Sequence, residues 1–191
     1  MIMPQADVIQ ADADWNHFPY PENFWTSLVA LGFWEARNSR DILRNVPIWW
    51  EAKARADGTM ADMIKGEFHL EVLNASVQTD SSPDIQLVSR NSLIVVETKL
   101  GTGISGREYN VFDHLAGKNA AYLLMAPGSF NPGQLGKFYA RGRRTGVRAG
   151  FLDLAKTVNW AWSLLELGPA CWPQTRGIPA KRVTRGPQSG S

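Results

Sequence analysis

Residues 83–100 read PDIQLVSRNSLIVVETKL, two apolar runs about a short polar gap. Two runs rich in aliphatic residues, 83–89 and 93–100, flank Arg90-Asn91, a gap short enough for a tight hairpin. A turn centred on that dipeptide pairs Val88 with Leu93, Leu87 with Ile94 and Ile85 with Val96, which sets Asp84 opposite Glu97. Directly opposed residues of an antiparallel pair share a face, with Cβ atoms about 4.5–5.5 Å apart. Lys99 stands two residues beyond Glu97, so the strand period of two returns it to the same face. Two acids and an amine are therefore expected on one patch. The run Leu93-Ile94-Val95-Val96 is unbroken apolar, as befits a central strand covered on both faces.

Working outward, 68–78 reads as a further strand on the N-terminal side. From Pro21 a helical pattern places Phe24, Leu28, Leu31 and Trp34 or Glu35 at spacings of three and four. Proline suits a helix start, where its missing N–H costs nothing. A second helix is expected from Ser39 or Asp41 towards Arg55, kinked or broken at Pro47, and Asp57-Gly58 marks a turn. On the C-terminal side come a glycine-rich loop at 101–106, a short helix over 107–115 and a buried strand over 120–125, closed by Pro127. A shorter strand over 147–151 and an amphipathic helix over 153–167, carrying Trp160, Trp162 and Leu164, complete the order. Helix, helix, three strands, helix, strand, strand, helix predicts an α/β fold with a mixed central β-sheet flanked by helices on both faces.

Composition sets the frame. The chain of 191 residues is 44% hydrophobic and 20% charged, which suits one globular domain with a real core. Residues 19–167 are expected to form it, with 1–18 a loose acidic arm and 168–191 a basic, unpacked tail of Pro, Gly, Arg and Ser. The apolar runs at 93–96 and 120–126 are too short to span a bilayer. The first residues, MIMPQADVIQADADW, lack the pattern of a secretory signal. A single cysteine, Cys171, excludes an internal disulfide and a thiolate zinc cluster. A cytoplasmic location without membrane contact is the expectation. The net charge of +2 conceals a division, −6 over residues 1–130 and +8 over 131–191. A basic third beside an acidic body suggests a polyanionic partner, although a solvated tail would carry the same charge.

The patch itself carries the chemistry. Like charges directly opposed destabilise a strand pair, and charged groups at the end of a buried strand lose hydration unless something compensates. A divalent cation between the carboxylates does so, and oxygen ligands from Asp and Glu suit Mg²⁺ or Mn²⁺. The Thr98 carbonyl could add another oxygen. Such an ion lowers the pKa of its water and polarises a phosphoryl group. Lys99 could position the attacking water or stabilise the charged transition state; acting as a base would require a depressed pKa.

Pro83-Asp84, a twelve-residue gap and then Glu97-Thr98-Lys99 resemble the PD-(D/E)XK nuclease superfamily, whose fold is restriction-endonuclease-like. The resemblance implies metal-dependent cleavage of nucleic acid phosphodiesters. It maps the metal-binding acids onto Asp84 and Glu97 and the catalytic lysine onto Lys99. It extends, less closely, from the helix at Pro21 to the strand at 120–125. Members often place a further Glu on the first helix near the metal, and Glu22 resembles that feature. The helix after the core motif often carries Gln and Tyr; REYNVFDHLAG has Arg107, Tyr109 and His114 but no Gln, so that motif is altered.

Weaker signals have plain structural readings beside functional ones. Glu22 would favour a first helical turn regardless of catalysis, and Glu71 competes with it as a third acidic ligand. His114 either touches substrate or is an ordinary surface or core histidine. GTGISG lacks the Lys-Ser/Thr of a P-loop and reads as a flexible strand-to-helix connection, or as a loop that lets substrate approach the metal site. KFYARGRRTGVR interleaves aromatics and bases in the manner of nucleic-acid contacts, or is a solvated loop. Trp25, Trp34, Trp49 and Trp50 fall near helical spacing and suit a core, or an interface with a second copy or another subunit. The expected function is a Mg²⁺- or Mn²⁺-dependent nuclease acting on DNA. Its rival is a catalytically silent nucleic-acid-binding or adaptor module on the same fold.

Overall fold

The computed structural model describes residues 15, 22–51, 55–64, 68–72 (69–72 by backbone alone), 84–90, 92–101 and 103–165. Its centre is a five-stranded sheet of β3 (Phe68–Val72), β4 (Ile85–Ser89), β5 (Leu93–Thr98), β6 (Ala120–Ala126) and β7 (Arg148–Asp153), in that order across the sheet. β3, β4 and β5 are antiparallel neighbours, whereas β5, β6 and β7 run parallel. The fold is thus α/β with a mixed central sheet flanked by helices. Parallel neighbours need crossovers, which α4 (Gly106–Leu115) and α5 (Pro132–Thr145) supply.

The two faces have separate cores. On one, α1 (Glu22–Ala36) and α6 (Leu154–Leu164) bring Trp25, Val29, Phe33 and Val158 onto Ile85, Leu87, Ile94, Val96, Leu123 and Met125. On the other, α4 and α5 bring Phe112 and Phe138 onto Val95, Tyr122 and Leu124. The alternation of Val95 and Val96 between the two cores is the strand period expressed in packing. Trp15, inside the segment expected to be loose, is buried and packs edge-on against Trp25 at 5.1 Å, so the arm is pinned at that residue.

Two expectations are corrected. The second helix, α2, covers only Arg40–Leu43. Pro47, unable to donate within a helix, instead opens β1 (Pro47–Ile48), which pairs with β2 (Gly58–Thr59) ahead of the short helix α3 (Met60–Met63). Trp49 then caps the sheet edge by a bridge to Phe151, N–H to carbonyl in both directions at 3.0 and 2.8 Å. The basic segment, left open between a nucleic-acid contact and a solvated loop, lies in α5 up to Thr145, with Arg148 opening β7. Asn131 caps that helix through Gly133 and Gln134, Pro132 occupies its first position, and Gly146 closes it at φ 72°. The arm apart from Trp15, the tail with Cys171, Pro83, His17 and the side chains of His69 and Glu71 lie outside the described residues.

α1 and α6 approach closely because Gly32 has no side chain: a Cβ there would lie 2.7 Å from Ala161 Cβ. Replacing it overpacks a buried crossing, at a cost of about 1–3 kcal/mol. Gly32→Leu is expected to lower the unfolding free energy by that amount, read as a lower urea midpoint at unchanged slope, and an unchanged midpoint would contradict the packing described.

Candidate functional site

The pairing of β4 and β5 steps from Val88–Leu93 to Ile85–Val96, so the next position sets Asp84 opposite Glu97. Asp84 Oδ2 accepts a hydrogen bond from the Thr98 N–H at 2.7 Å, which ties the carboxylate to the end of β5. Lys99 N donates to the Met125 carbonyl at 2.9 Å, continuing the parallel ladder past Thr98. Glu97 and Lys99 therefore share the face of Val95 and lie under α4. Lys99 Nζ stands between two carboxylates, 3.1 Å from Glu97 Oε1 and 2.7 Å from Glu108 Oε1.

A second helix meets the same strand end. Glu22, in the first turn of α1, accepts from the Leu100 N–H through Oε2 at 2.9 Å. One turn on, the Thr26 hydroxyl donates to Thr98 Oγ1 at 2.8 Å and approaches the Glu22 carbonyl at 3.1 Å. Buried polar groups need such partners, and this pair fixes the depth of α1 against β5. Asp84, Glu97, Lys99 and Glu22, all singled out in the sequence, thus converge at one end of the sheet.

Burial and mutual repulsion raise the acids. Desolvation and the neighbouring Asp84 push the Glu97 carboxyl up to about 7, against the pull of Lys99. Burial also raises Asp84, opposed by its bond from Thr98 and by the charges of Lys99 and Arg107. Glu22 rises for the same reason, opposed by its bond from Leu100. Glu108 behaves oppositely: burial would raise it, but Lys99 and the hydroxyl of Ser105 hold it down at about 2. Burial alone would lower Lys99, yet its ion pairs with Glu108 and Glu97 leave it above the ordinary amine range. One lysine thus faces two acids of unequal character. Glu97 also opposes Asp84, whereas Glu108 has the shorter contact and an added hydroxyl donor.

Two contributors escaped the sequence reading. Glu108 lies on the helix where a glutamine was sought, and Thr26 sits in an apolar helix without any motif. Ser105 and Glu108 form a capping box, since the Ser105 N–H and hydroxyl both donate to Glu108 Oε2, the former at 2.7 Å. The S-x-x-E spacing was the available signal.

Other candidates lie elsewhere. His114 is exposed in the last turn of α4, whose first turn is the one at the site. Phe138 and Tyr139 of the basic segment are buried, so they are not available for stacking on bases. Arg141 pairs with Asp113. Arg143 and Arg144 occupy the last turn of α5. That helix starts beyond the C-terminal end of β6, so these arginines are at the far end of the sheet from the carboxylates. Trp25 is core, Trp34 is exposed beneath Arg37, and Trp50 lies under Arg148.

Among the described residues, no three or more His, Cys, Asp or Glu side chains form a group that could hold a metal ion. The facing pair, Asp84 and Glu97, is the donor set at hand. No protein-family model, curated protein or solved structure matches the chain. No helix among the described residues is long and apolar enough to cross a membrane.

A carboxyl raised in the folded state holds its proton more tightly folded than unfolded. Its contribution is therefore full below the unfolded value of 4.5 and is lost as pH rises to about 7. Removing that ionisation gives a direct test. In EDTA, the melting temperature of Glu97→Gln relative to the parent should rise between pH 5 and pH 8. Parallel profiles would contradict the assignment.

Proposed function

We propose that the chain is a metal-dependent nuclease of the PD-(D/E)XK type, with a restriction-endonuclease-like fold and DNA as substrate. The observation that carries this reading is the register: Asp84 faces Glu97 at the end of a buried strand, with Lys99 beside them. Such an arrangement is costly to a fold and useful to phosphodiester hydrolysis.

The donors fit a divalent ion. A Glu97 carboxyl driven up to about 7 by burial and by Asp84 marks a place short of positive charge. Mg²⁺ is commonly held by one or two carboxylates while keeping several waters, so a third protein ligand is not required. Asp84 and Glu97 would hold Mg²⁺ or Mn²⁺, with Glu22 beside them and the Thr98 carbonyl as a further oxygen. The ion supplies Lewis acidity and an acidified water at the phosphate.

The chain's own groups do the rest. Lys99, kept as an ammonium between carboxylates, presents fixed positive charge where a pentacovalent phosphate gathers negative charge. Thr98 N–H and Leu100 N–H hold Asp84 and Glu22 in place. The Thr26–Thr98 hydroxyl pair keeps α1 seated on β5, so Glu22 keeps its position at the strand end.

A catalytically silent nucleic-acid-binding module on this fold is the second reading. It is favoured by the double pairing of Lys99, which occupies the amine with protein carboxylates.

Two experiments separate the readings. Parent protein should cleave DNA with Mg²⁺ or Mn²⁺ and not in EDTA, and Asp84→Ala or Lys99→Ala should lower the rate by at least about a hundredfold. Cleavage unchanged in both variants would refute the assignment, and DNA binding without cleavage would favour the silent module. Mn²⁺ at one hundred times its Kd should stabilise the parent by about 2.7 kcal/mol. The same titration should leave the melting temperature of Asp84→Asn unmoved; an equal rise in both proteins would place the ion elsewhere.

A further inference from the structure

Glu108 is the one acid of the cluster whose two oxygens have different tasks. Oε2 receives the N–H and the hydroxyl of Ser105 and so closes the first turn of α4. Oε1 receives Lys99 Nζ at 2.7 Å, closer than Glu97 does at 3.1 Å. The carboxylate is buried, with 8% of its side chain exposed, and the lysine side chain is 20% exposed. A long, flexible lysine loses considerable rotamer freedom when held in one place. A carboxylate clamped by its own helix cap is a rigid anchor for it.

We propose that Glu108 is the positioning residue for Lys99, holding the ammonium over the Asp84–Glu97 pair by a carboxylate that the α4 cap makes immobile. The inference rests on the nuclease reading for its consequence in catalysis, and on the ion-pair geometry alone for the placement of the amine. α4 is tied to the strand end through this contact, so the helix following the core motif serves the site by holding Lys99. A misplacement of about 1 Å at a reacting centre can cost on the order of a hundredfold in rate. Ground-state binding of DNA through its backbone does not depend on that alignment.

The capping box provides the means to separate structure from function. Glutamine satisfies a capping box as well as glutamate does, so Glu108→Gln keeps the helix start and removes only the anion facing Lys99. Ser105→Ala removes the hydroxyl from the cap but keeps the backbone N–H on Oε2 and the Lys99–Glu108 pair. In Glu108→Gln, kcat is expected to fall about a hundredfold with KM close to the parent's, and the lost ion pair lowers the melting temperature. In Ser105→Ala, melting temperature also falls, but kcat falls far less because the anion and its backbone donor remain.

A second measurement is independent of turnover. Slowly exchanging ammonium protons of Lys99, followed by ¹H–¹⁵N NMR with Lys99→Arg as the assignment control, should be visible in the full chain and lost in Glu108→Gln. A Lys99 signal that survives unchanged in Glu108→Gln would overturn the positioning role, whatever the cleavage assay gives. A lost signal with unchanged kcat would overturn its catalytic importance. Parent protein that never cleaves would refute the nuclease reading itself, and the Lys99 spectrum would still decide who holds the amine.

Discussion

Two carboxylates that face each other across neighbouring strands repel, and burying them at the end of a dry sheet strengthens the repulsion. Asp84 and Glu97 are in that position, and much of the surrounding structure answers it. The Thr98 N–H takes one oxygen of Asp84, Lys99 reaches Glu97, and a second acid, Glu108, secures the lysine. The Glu97 carboxyl still rises to about 7, because burial withdraws it from water and Asp84 repels it. On the proposed reading, a divalent ion would offset both effects.

The scaffold explains why the groups can be held so closely. β5 lies in the middle of the sheet, between an antiparallel neighbour that brings Asp84 and a parallel neighbour whose Met125 carbonyl carries the ladder through Lys99. Helices approach the same strand end from both faces, α1 with Glu22 and Thr26, α4 with Glu108. Acidic residues in first helical turns are favoured by the helix dipole. The same placement that suits the helices therefore delivers carboxylates to the site. Local stability and functional geometry coincide here.

What the sequence made legible was whatever depended on period and register. A tight turn centred on Arg90-Asn91 sets one pairing, and a slip of one residue would turn the side chains to the other face; the observed register of β4 and β5 is the one that turn implies, and it brings Asp84, Glu97 and Lys99 together. Elements whose pattern was ambiguous were not. The stretch after Leu43 has tryptophans near helical spacing, yet Pro47 and the open edge of β7 made it a strand and a bridge. α5 was obscured by its internal glycines, Gly133, Gly136 and Gly142, which lower helix propensity, although Asn131-Pro132 and Gly146 mark its ends. Glu108 was hidden by its spacing from the motif, since a contact across a loop and a helix start has no period to reveal it. Thr26 gave no signal at all.

The central claim is that Asp84 and Glu97 together hold a divalent cation. Its most direct test is a crystal structure of the protein soaked in Mn²⁺, with the ion located by anomalous scattering. The account predicts a peak at roughly 2.0–2.2 Å from oxygens of both Asp84 and Glu97, the range expected of a small hard cation. Carboxylates splayed to opposite faces of the sheet, or a peak that ignores this pair, would contradict it.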